Sequence, residues 1–308
     1  MAMTGVLRPG HIVLRVLDLH EAERFYREVL GLIETGRDSR GRGYFKAWDE
    51  RDHSSVILRE AERAGMDALA FKVRDARTLD RFEARLKEYG VGTERLPGGE
   101  MLETGERVRF VIPTGHTLEL YAEKTDVGNG QGYLNPEPWV DRLKGIAPVR
   151  LDHALLYGCD VDGSRELFVD VLDFSLVERV LMGDDRTDLA VFLSCSTKAH
   201  AIALVRHDED DKLHHVSFRL ETWEQVIRAG DIMALHGVPV DIGPTRHGVT
   251  RGATIYAFDT SGNRFETFCG GYDFYPDMQP IVWTSDETGP AIFFHDRKLN
   301  DRFLSVVT

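Results

Sequence analysis

The chain has 308 residues, 42% hydrophobic and 29% charged, which suits a globular protein with two domains of ordinary size. A formal net charge of -13 argues against nucleic acid or an anionic membrane as a partner. Three cysteines without metal-type spacing, no apolar leader in MAMTGVLRPGH and no membrane-length apolar run lead to the expectation of a reduced, cytoplasmic protein.

The first predicted strand, GHIVLRV (10–16), carries His11. A helix that ends in a turn follows at AERFYREVLGL (22–32), then a strand at HSSVILR (53–59). ALAFKVRDARTLDRFEARLKEYGV (68–91) reads as strand then helix, and RFVIPTGHTLELY (109–121) as a strand pair containing Glu119. Residues 123–148, rich in Gly, Pro and Asn and without periodicity, read as a linker.

The pattern then repeats. LDHALLY (151–157) matches the first strand and SRELFVDVLDF (164–174) the first helix. HAIALVR (200–206) matches 53–59, placing His200 beside His53. HVSFRLETWEQVIRAGDIMALHGV (215–238) matches 68–91, and YAFDTSGNRFETF (256–268) matches 109–121. Five segments in the same order indicate an internal duplication. Each half divides again into two strand–helix–strands units. A single unit cannot cover its own sheet, so pairing within each half buries the core. The expected fold is α+β: two domains, each of two βαβββ modules forming a curved mixed sheet around a cup. The expected boundaries are 1–122, a linker at 123–148, 149–270, and a tail at 271–308. The tail has no counterpart in the first half and is rich in aromatics, among them Tyr272, Trp283, Phe293 and Phe303. Such composition is unlike disorder and predicts a segment packed down over the second-half site.

The two copies differ where chemistry would sit. His153 aligns with His11 and Glu266 with Glu119, but His215 aligns with Ala68. Strand alternation lets all three second-half side chains project into the hollow of one curved sheet. A lone strand histidine is more often half-buried with one hydrogen bond than a ligand. His214, beside His215, shows the ambiguity; the repeat favours His215, because His214 aligns with Asp67. Two imidazoles and one carboxylate with open positions suit non-haem Fe(II) oxygen chemistry, although Mn(II) accepts the same set. His247, in a Gly-bounded turn, and Tyr256, on the strand that returns toward Glu266, form a second cluster.

The string from His247 through IYAFDTSGNRFE, ending at Glu266, resembles the signature of extradiol ring-cleavage dioxygenases of the vicinal oxygen chelate superfamily, in the catechol 2,3-dioxygenase (metapyrocatechase) family. RPGHIVLRVLDL, STKAH, LHHVSF, LETWE, DIGPTRHG, NRFETFCGG and HDRKLNDRF extend the resemblance over essentially the whole chain. It implies a homotetramer that binds catechol and O2 and cleaves the ring beside the diol to 2-hydroxymuconic semialdehyde. It implies iron ligands at His153, His215 and Glu266, an acid–base residue at His200 with a near-ordinary pKa, and hydrogen-bonding residues at His247 and Tyr256. Phe192, Ile292 and Phe303 are expected to line the ring pocket. Thr260 stands where the family pattern has Pro (the first half keeps Pro113), and Arg251 where relatives often have His. Two other readings of the scaffold compete: a glyoxalase-type lyase or isomerase with four protein ligands, and a metal-free ligand-binding protein.

Overall fold

The computed structural model describes residues 5–138, 140–183 and 186–308. The first unit runs β1 Val6–Val16, α1 Leu19–Glu28, β2 Ile33–Arg37, β3 Gly43–Lys46 and β4 Val56–Glu60. The second runs β5 Gly65–Val73, α2 Ala76–Glu88, β6 Thr93–Leu96, β7 Arg107–Val111 and β8 Thr117–Tyr121. The third comprises β9 Arg150–Gly158, α3 Val161–Glu166 continued by a π-helical turn at Leu167–Val171, β10 Ser175–Leu181, β11 Asp188–Ser194 and β12 Ile202–Arg206. The fourth is β13 Lys212–Arg219, α4 Trp223–Leu235, β14 Val240–Arg246, β15 Gly252–Phe258 and β16 Arg264–Gly270. The tail adds β17 Ile281–Trp283, α5 Thr288–Ile292 and α6 Asp301–Ser305. Each unit's main helix starts at a side-chain cap that accepts a backbone N–H three residues on: Asp18, Asp75, Asp160 and Thr222.

These strands form an eight-stranded sheet, β2-β3-β4-β1-β5-β8-β7-β6, and a nine-stranded sheet, β14-β15-β16-β13-β9-β12-β11-β10-β17. Apart from β17, the two orders are the same when each first-half strand is exchanged for its counterpart. Alternation along β1 sends Ile12, Leu14 and Val16 to the helix side, where the helices of both halves share one core. Phe25 of α1 meets Phe265 of β16 at 5.6 Å, and Phe71 of β5 meets Phe174 at 5.3 Å. The opposite faces line two separate cups. The first holds Val13, Tyr44, Ile57, Ala68 and Met101. The second holds Phe192 and Tyr256 together with Ala291, Phe293 and Phe303 from the tail.

Register corrects one expectation. β1 pairs β4 with Ile12 opposite Val56, and β9 pairs β12 with Ala154 opposite Ile202. With Ile12 and Ala154 equivalent, His200 corresponds to Ser54, not His53. Continuous apolar runs such as SVIL and AIAL do not define register by themselves, so the sequence match slipped by one residue.

The first cup is closed by charge. Glu119, fully buried, receives Arg107 Nε at 2.8 Å and Arg109 Nη2 at 2.7 Å. Arg107 also pairs with Glu100. Burial pushes the Glu119 carboxyl up, but His11 and the two guanidiniums outweigh it and hold it at about 2. Lys124 Nζ, contributed by the stretch between the sheets, lies 3.0 Å from His11 Nδ1 and 2.9 Å from the Ser54 carbonyl. Burial lowers the Lys124 pKa to about 7; as an ammonium it can only donate, so His11 Nδ1 then accepts and the His11 proton stays on Nε2.

Glu119→Gln should therefore destabilise the chain by about 3–5 kcal/mol, because it leaves buried guanidinium charge uncompensated. Because the folded pKa is depressed, the carboxylate's contribution is complete above its ordinary value of 4.5 and is lost as pH falls towards about 2. Urea unfolding of both proteins from pH 7 to pH 2 checks this: the gap between them should narrow with acid, and a constant gap would remove the electrostatic explanation.

Candidate metal and catalytic site

Three adjacent strands bring the second-half triad together. β9 carries His153, β13 carries His215 and β16 carries Glu266, with Ser217 opposite both His153 and Glu266 in the ladders. One ligand atom from each of His153, His215 and Glu266 lies within 4.8 Å of the others, and all three residues are buried. His153 Nε2 is 3.0 Å and His215 Nε2 3.6 Å from Glu266 Oε2. Ser217 Oγ also donates to Oε2, and Thr254 Oγ1 donates to Oε1 at 2.6 Å. Burial raises the Glu266 carboxyl, but the neighbouring His153, His247 and His215 side chains outweigh it and leave the group well below the carboxylate range.

The far nitrogen of each imidazole has a partner. His153 Nδ1 lies 2.9 Å from Asp152 Oδ2, which Lys198 Nζ also approaches at 2.9 Å. A carboxylate only accepts, so His153 Nδ1 carries a proton, and Nε2, facing the cup 3.0 Å from Glu266 Oε2, is the nitrogen left to bind a metal. His215 Nδ1 lies 2.7 Å from His214 Nδ1, and His215 Nε2 is buried without a hydrogen-bond partner. A buried, unpartnered ring nitrogen beside a carboxylate and a second imidazole fits a cationic ligand, and the donor set suits a divalent metal.

The other expected residues surround the triad. The pocket is lined by all three triad residues, by His200, His247 and Tyr256, and by Phe192, Ile292 and Phe303. The His200 ring lies 3.9 Å from His153 and 5.5 Å from Phe192. Burial, then the nearby His153 and Lys198, push its pKa well below the ordinary imidazole value. His200 is thus neutral at pH 7, unlike the near-ordinary pKa expected from sequence; the strand-end position alone did not show how deeply it is buried. Tyr256 Oη lies 2.7 Å from His247 Nε2, while His247 Nδ1 meets the Ile292 carbonyl. That carbonyl fixes the proton on Nδ1, so the phenol donates to Nε2. Burial, then Glu266, raise Tyr256 well above its ordinary value, and it remains a phenol.

Sequence reasoning missed Asp152, Lys198 and Glu178, and it set His214 aside. Strand position could have pointed to Asp152 and His214, each next to a triad histidine. Glu178 receives Tyr272 Oη, Trp283 Nε1 at 2.9 Å and the Thr250 backbone N–H, so it pins both the tail and the turn after His247. The departure at Thr260 is absorbed locally: Asp259 Oδ1 accepts from the Ser261 and Asn263 backbone N–H groups at 2.9 Å each and holds the turn. Arg251 lies over the Tyr272 ring at 4.8 Å and does not line the pocket. Outside the pocket, a cavity of about 870 Å³ opens between the two halves and shares His200, Thr250 and Phe268 with it.

Residues 66–125 match the model of the catechol 2,3-dioxygenase-like N-terminal domain, and residues 150–267 that of the glyoxalase/bleomycin resistance protein/dioxygenase superfamily. The chain is 52% identical to the metapyrocatechase of Pseudomonas sp. strain CF600, over 99% of each chain. It is 28% identical to a manganese-dependent 2,3-dihydroxybiphenyl 1,2-dioxygenase of Geobacillus genomosp. 3, over 93% of this chain and 92% of that one. Among solved structures, the 2,3-dioxygenase LapB of Pseudomonas sp. KL28 is similar at 62% identity with a TM-score of 0.91, covering 92% of this chain and 99% of that one. Homoprotocatechuate 2,3-dioxygenase of Brevibacterium fuscum is similar at 26% identity and a TM-score of 0.87, covering 98% of this chain and 92% of that one. Family models over both halves and a full-length relative at this identity agree with the fold, and the chain belongs to the metapyrocatechase family of extradiol dioxygenases.

Proposed function

We propose that this chain is a catechol 2,3-dioxygenase: it adds both atoms of O2 to catechol, cleaving the ring beside the diol to 2-hydroxymuconic semialdehyde. The observation that carries the reading is the buried triad of His153, His215 and Glu266, with His215 Nε2 left unpartnered. His153, His215 and Glu266 would hold Fe(II). Bound there, the iron would supply Lewis acidity toward the diol and a path for electrons from the ring to O2. Mn(II) is the second reading of the metal, favoured by the manganese-dependent relative. The glyoxalase-type reading needs a fourth protein ligand, and among the described residues only three gather.

The chain's own residues divide the remaining work. His200, neutral and beside His153, accepts a proton and returns it at the cleavage step. Tyr256 and His247 place an O–H and a ring nitrogen where the diol oxygens would sit, and orient the substrate by hydrogen bonds. Phe192, Ile292 and Phe303 exclude water and hold the flat ring. The same reading assigns catalysis to 149–270, joined through a linker at 123–148 to a first domain at 1–122 that has no complete triad, with 271–308 as a cap. The family resemblance further supports a cytoplasmic homotetramer; light scattering tests the oligomer.

Anaerobic reconstitution with Fe(II) or Mn(II), then catechol and air, tests the whole reading: a yellow product with equimolar oxygen uptake is expected. His215→Ala should retain the fold and lose nearly all bound metal and activity; stoichiometric metal in that variant would remove His215 from the ligand set.

His200→Phe separates a proton-transfer role from ligation. Metal content should stay stoichiometric while turnover falls about 10²- to 10⁴-fold. Loss of metal instead would make His200 a ligand.

The cap is tested by Ile292→Ala. The variant should keep its metal and shift kcat/KM toward alkyl-substituted catechols. An unchanged preference would mean that the tail does not shape the ring pocket.

A further inference from the structure

We propose that Arg150 and Arg219 form a carboxylate-binding site in the cavity between the two halves, and that it receives the carboxylate of the ring-cleavage product as it leaves the pocket. The identity of the ligand rests on the dioxygenase reading above; the site itself rests on a difference between the two halves. Arg219 of β13 stands directly opposite Arg150 of β9 in the antiparallel ladder, and both line the cavity of about 870 Å³. Like charges in register across a ladder repel unless a counter-charge joins them. The first half has such a counter-charge. There Lys72 of β5 stands opposite Arg8 of β1, and Asp52 takes both, Lys72 Nζ at 2.7 Å and Arg8 Nη2 at 2.9 Å. With Ser54 equivalent to His200, the counterpart of Asp52 is Lys198. The two also make isolated bridges at matched places, Asp52 with Asp126 and Lys198 with Asp273. The second half thus has a cation where the first has the bridging carboxylate. Lys198 is taken up by Asp152 Oδ2 at 2.9 Å, and among the described residues neither Arg150 nor Arg219 pairs with a carboxylate.

The other acids on the cavity wall do not fill this place. Glu50 accepts the backbone N–H groups of Ala47 at 2.7 Å and Leu151 at 2.9 Å, Asp49 accepts the Asn129 amide at 2.8 Å, and Asp273 is exposed. Position links the arginines to the chemistry. Phe268 lines both the pocket and the cavity, and the Arg219 guanidinium lies 6.0 Å from the centre of its ring. Arg219 also shares a face of β13 with His215 and Ser217, about 13 Å along the strand from the triad histidine. Catechol arrives uncharged, whereas the cleaved ring carries a carboxylate. The pocket is apolar around Leu155, Phe192, Val249, Ile292 and Phe303, so a free carboxylate is poorly solvated there. The tail closes one side of the pocket, and the other borders the cavity at His200, Thr250 and Phe268. Beyond that border, two guanidiniums offer charge-assisted donors of the kind that Arg8 gives to Asp52.

The test compares the full-length wild-type chain with the Arg150→Gln/Arg219→Gln and Arg150→Lys/Arg219→Lys double variants. The probe is cis,cis-muconate, an unreactive dicarboxylate of the product's length, titrated by calorimetry into metal-free protein. The Gln variant should bind it about 10-fold more weakly, and the Lys variant should keep most of the affinity. Added salt should weaken binding to the wild type and leave the Gln variant nearly unaffected. In metal-reconstituted protein, the inhibition constant of 2-hydroxymuconic semialdehyde should rise about 10-fold in the Gln variant relative to the KM of catechol. Muconate binding that is equal in the wild type and the Gln variant, or absent from both, overturns the site. Where the Gln double variant fails to fold, the single variants and the wild-type salt dependence decide, and salt-independent binding overturns the proposal. A carboxylated catechol, 3,4-dihydroxybenzoate, tests the other source of a carboxylate. If its kcat/KM exceeds that of catechol in the wild type and falls selectively in the Gln variant, the arginines select substrates and the product assignment is overturned. Arginine-dependent muconate binding in a protein that cleaves no catechol would overturn the dioxygenase reading and leave the carboxylate site standing.

Discussion

A buried carboxylate must be met by positive charge or by a full set of donors, and both cups are organised around that constraint. Glu119 and Glu266 occupy the same place, each on a strand parallel to the one that should carry the second histidine. In the first cup the charge is answered permanently. Arg107 stands where the second half has Thr254, and Arg109 where it has Tyr256, so two guanidiniums reach Glu119. In the second cup the same positions hold only a hydroxyl on Glu266 and a phenol on His247. The Ser217 and Thr254 hydroxyls satisfy the oxygens but not the charge. The second cup therefore keeps an electrostatic demand that a divalent cation meets, and the first cup does not.

Charge alone does not make a ligand set; each imidazole must also present a lone pair. Here the two halves use opposite hydrogen-bond polarity. Asp152 accepts at Nδ1 of His153 and turns Nε2 toward the cup. Lys124 donates at Nδ1 of His11 and leaves the proton on Nε2, pointed at Glu119. Gly10 stands at the place of Asp152, and a side chain there would collide with Tyr121, since an added Cβ would come within 2.4 Å of its ring. Supplying His at the Ala68 position would accordingly not rebuild a site. The guanidiniums, the lysine and the missing carboxylate would all still oppose it.

Much of this was legible in the sequence because it follows from periodicity and from what differs between two copies. The four βαβββ units and the convergence of His153, His215 and Glu266 follow from strand alternation and the matched positions of the two copies; the core shared by the halves does not, since the expectation was burial within each half. The pairing of His200 with His53 failed because an apolar strand buried on both faces carries no alternation to fix its register. The pKa of His200 was misjudged for a related reason: burial depends on Phe192 and His153 arriving from other strands, which no local pattern records. His214 was set aside as the histidine that could not face the cup. It does not face it, but its ring meets a backbone carbonyl 89 residues away in the chain, and backbone carbonyls leave no trace in residue identity.

The tail supplies what the second cup lacks by leaving its charge open. The first cup needs no lid, since Met101 and the ion pairs fill it. The second cup would admit water to a site whose electrostatic interactions depend on its exclusion. Residues 271–308 close it with Ile292, Phe293 and Phe303, and the same turns present the Ile292 and Phe303 carbonyls to His247 and His214. Glu178 holds this arrangement at the far side, gathering Tyr272, Trp283 and the Thr250 backbone at one carboxylate. Apolar closure and imidazole orientation thus come from one segment. A site completed in this way is closed to water and has its His247 ring oriented only when the tail is down, so the tail sets the site's geometry as well as its wall.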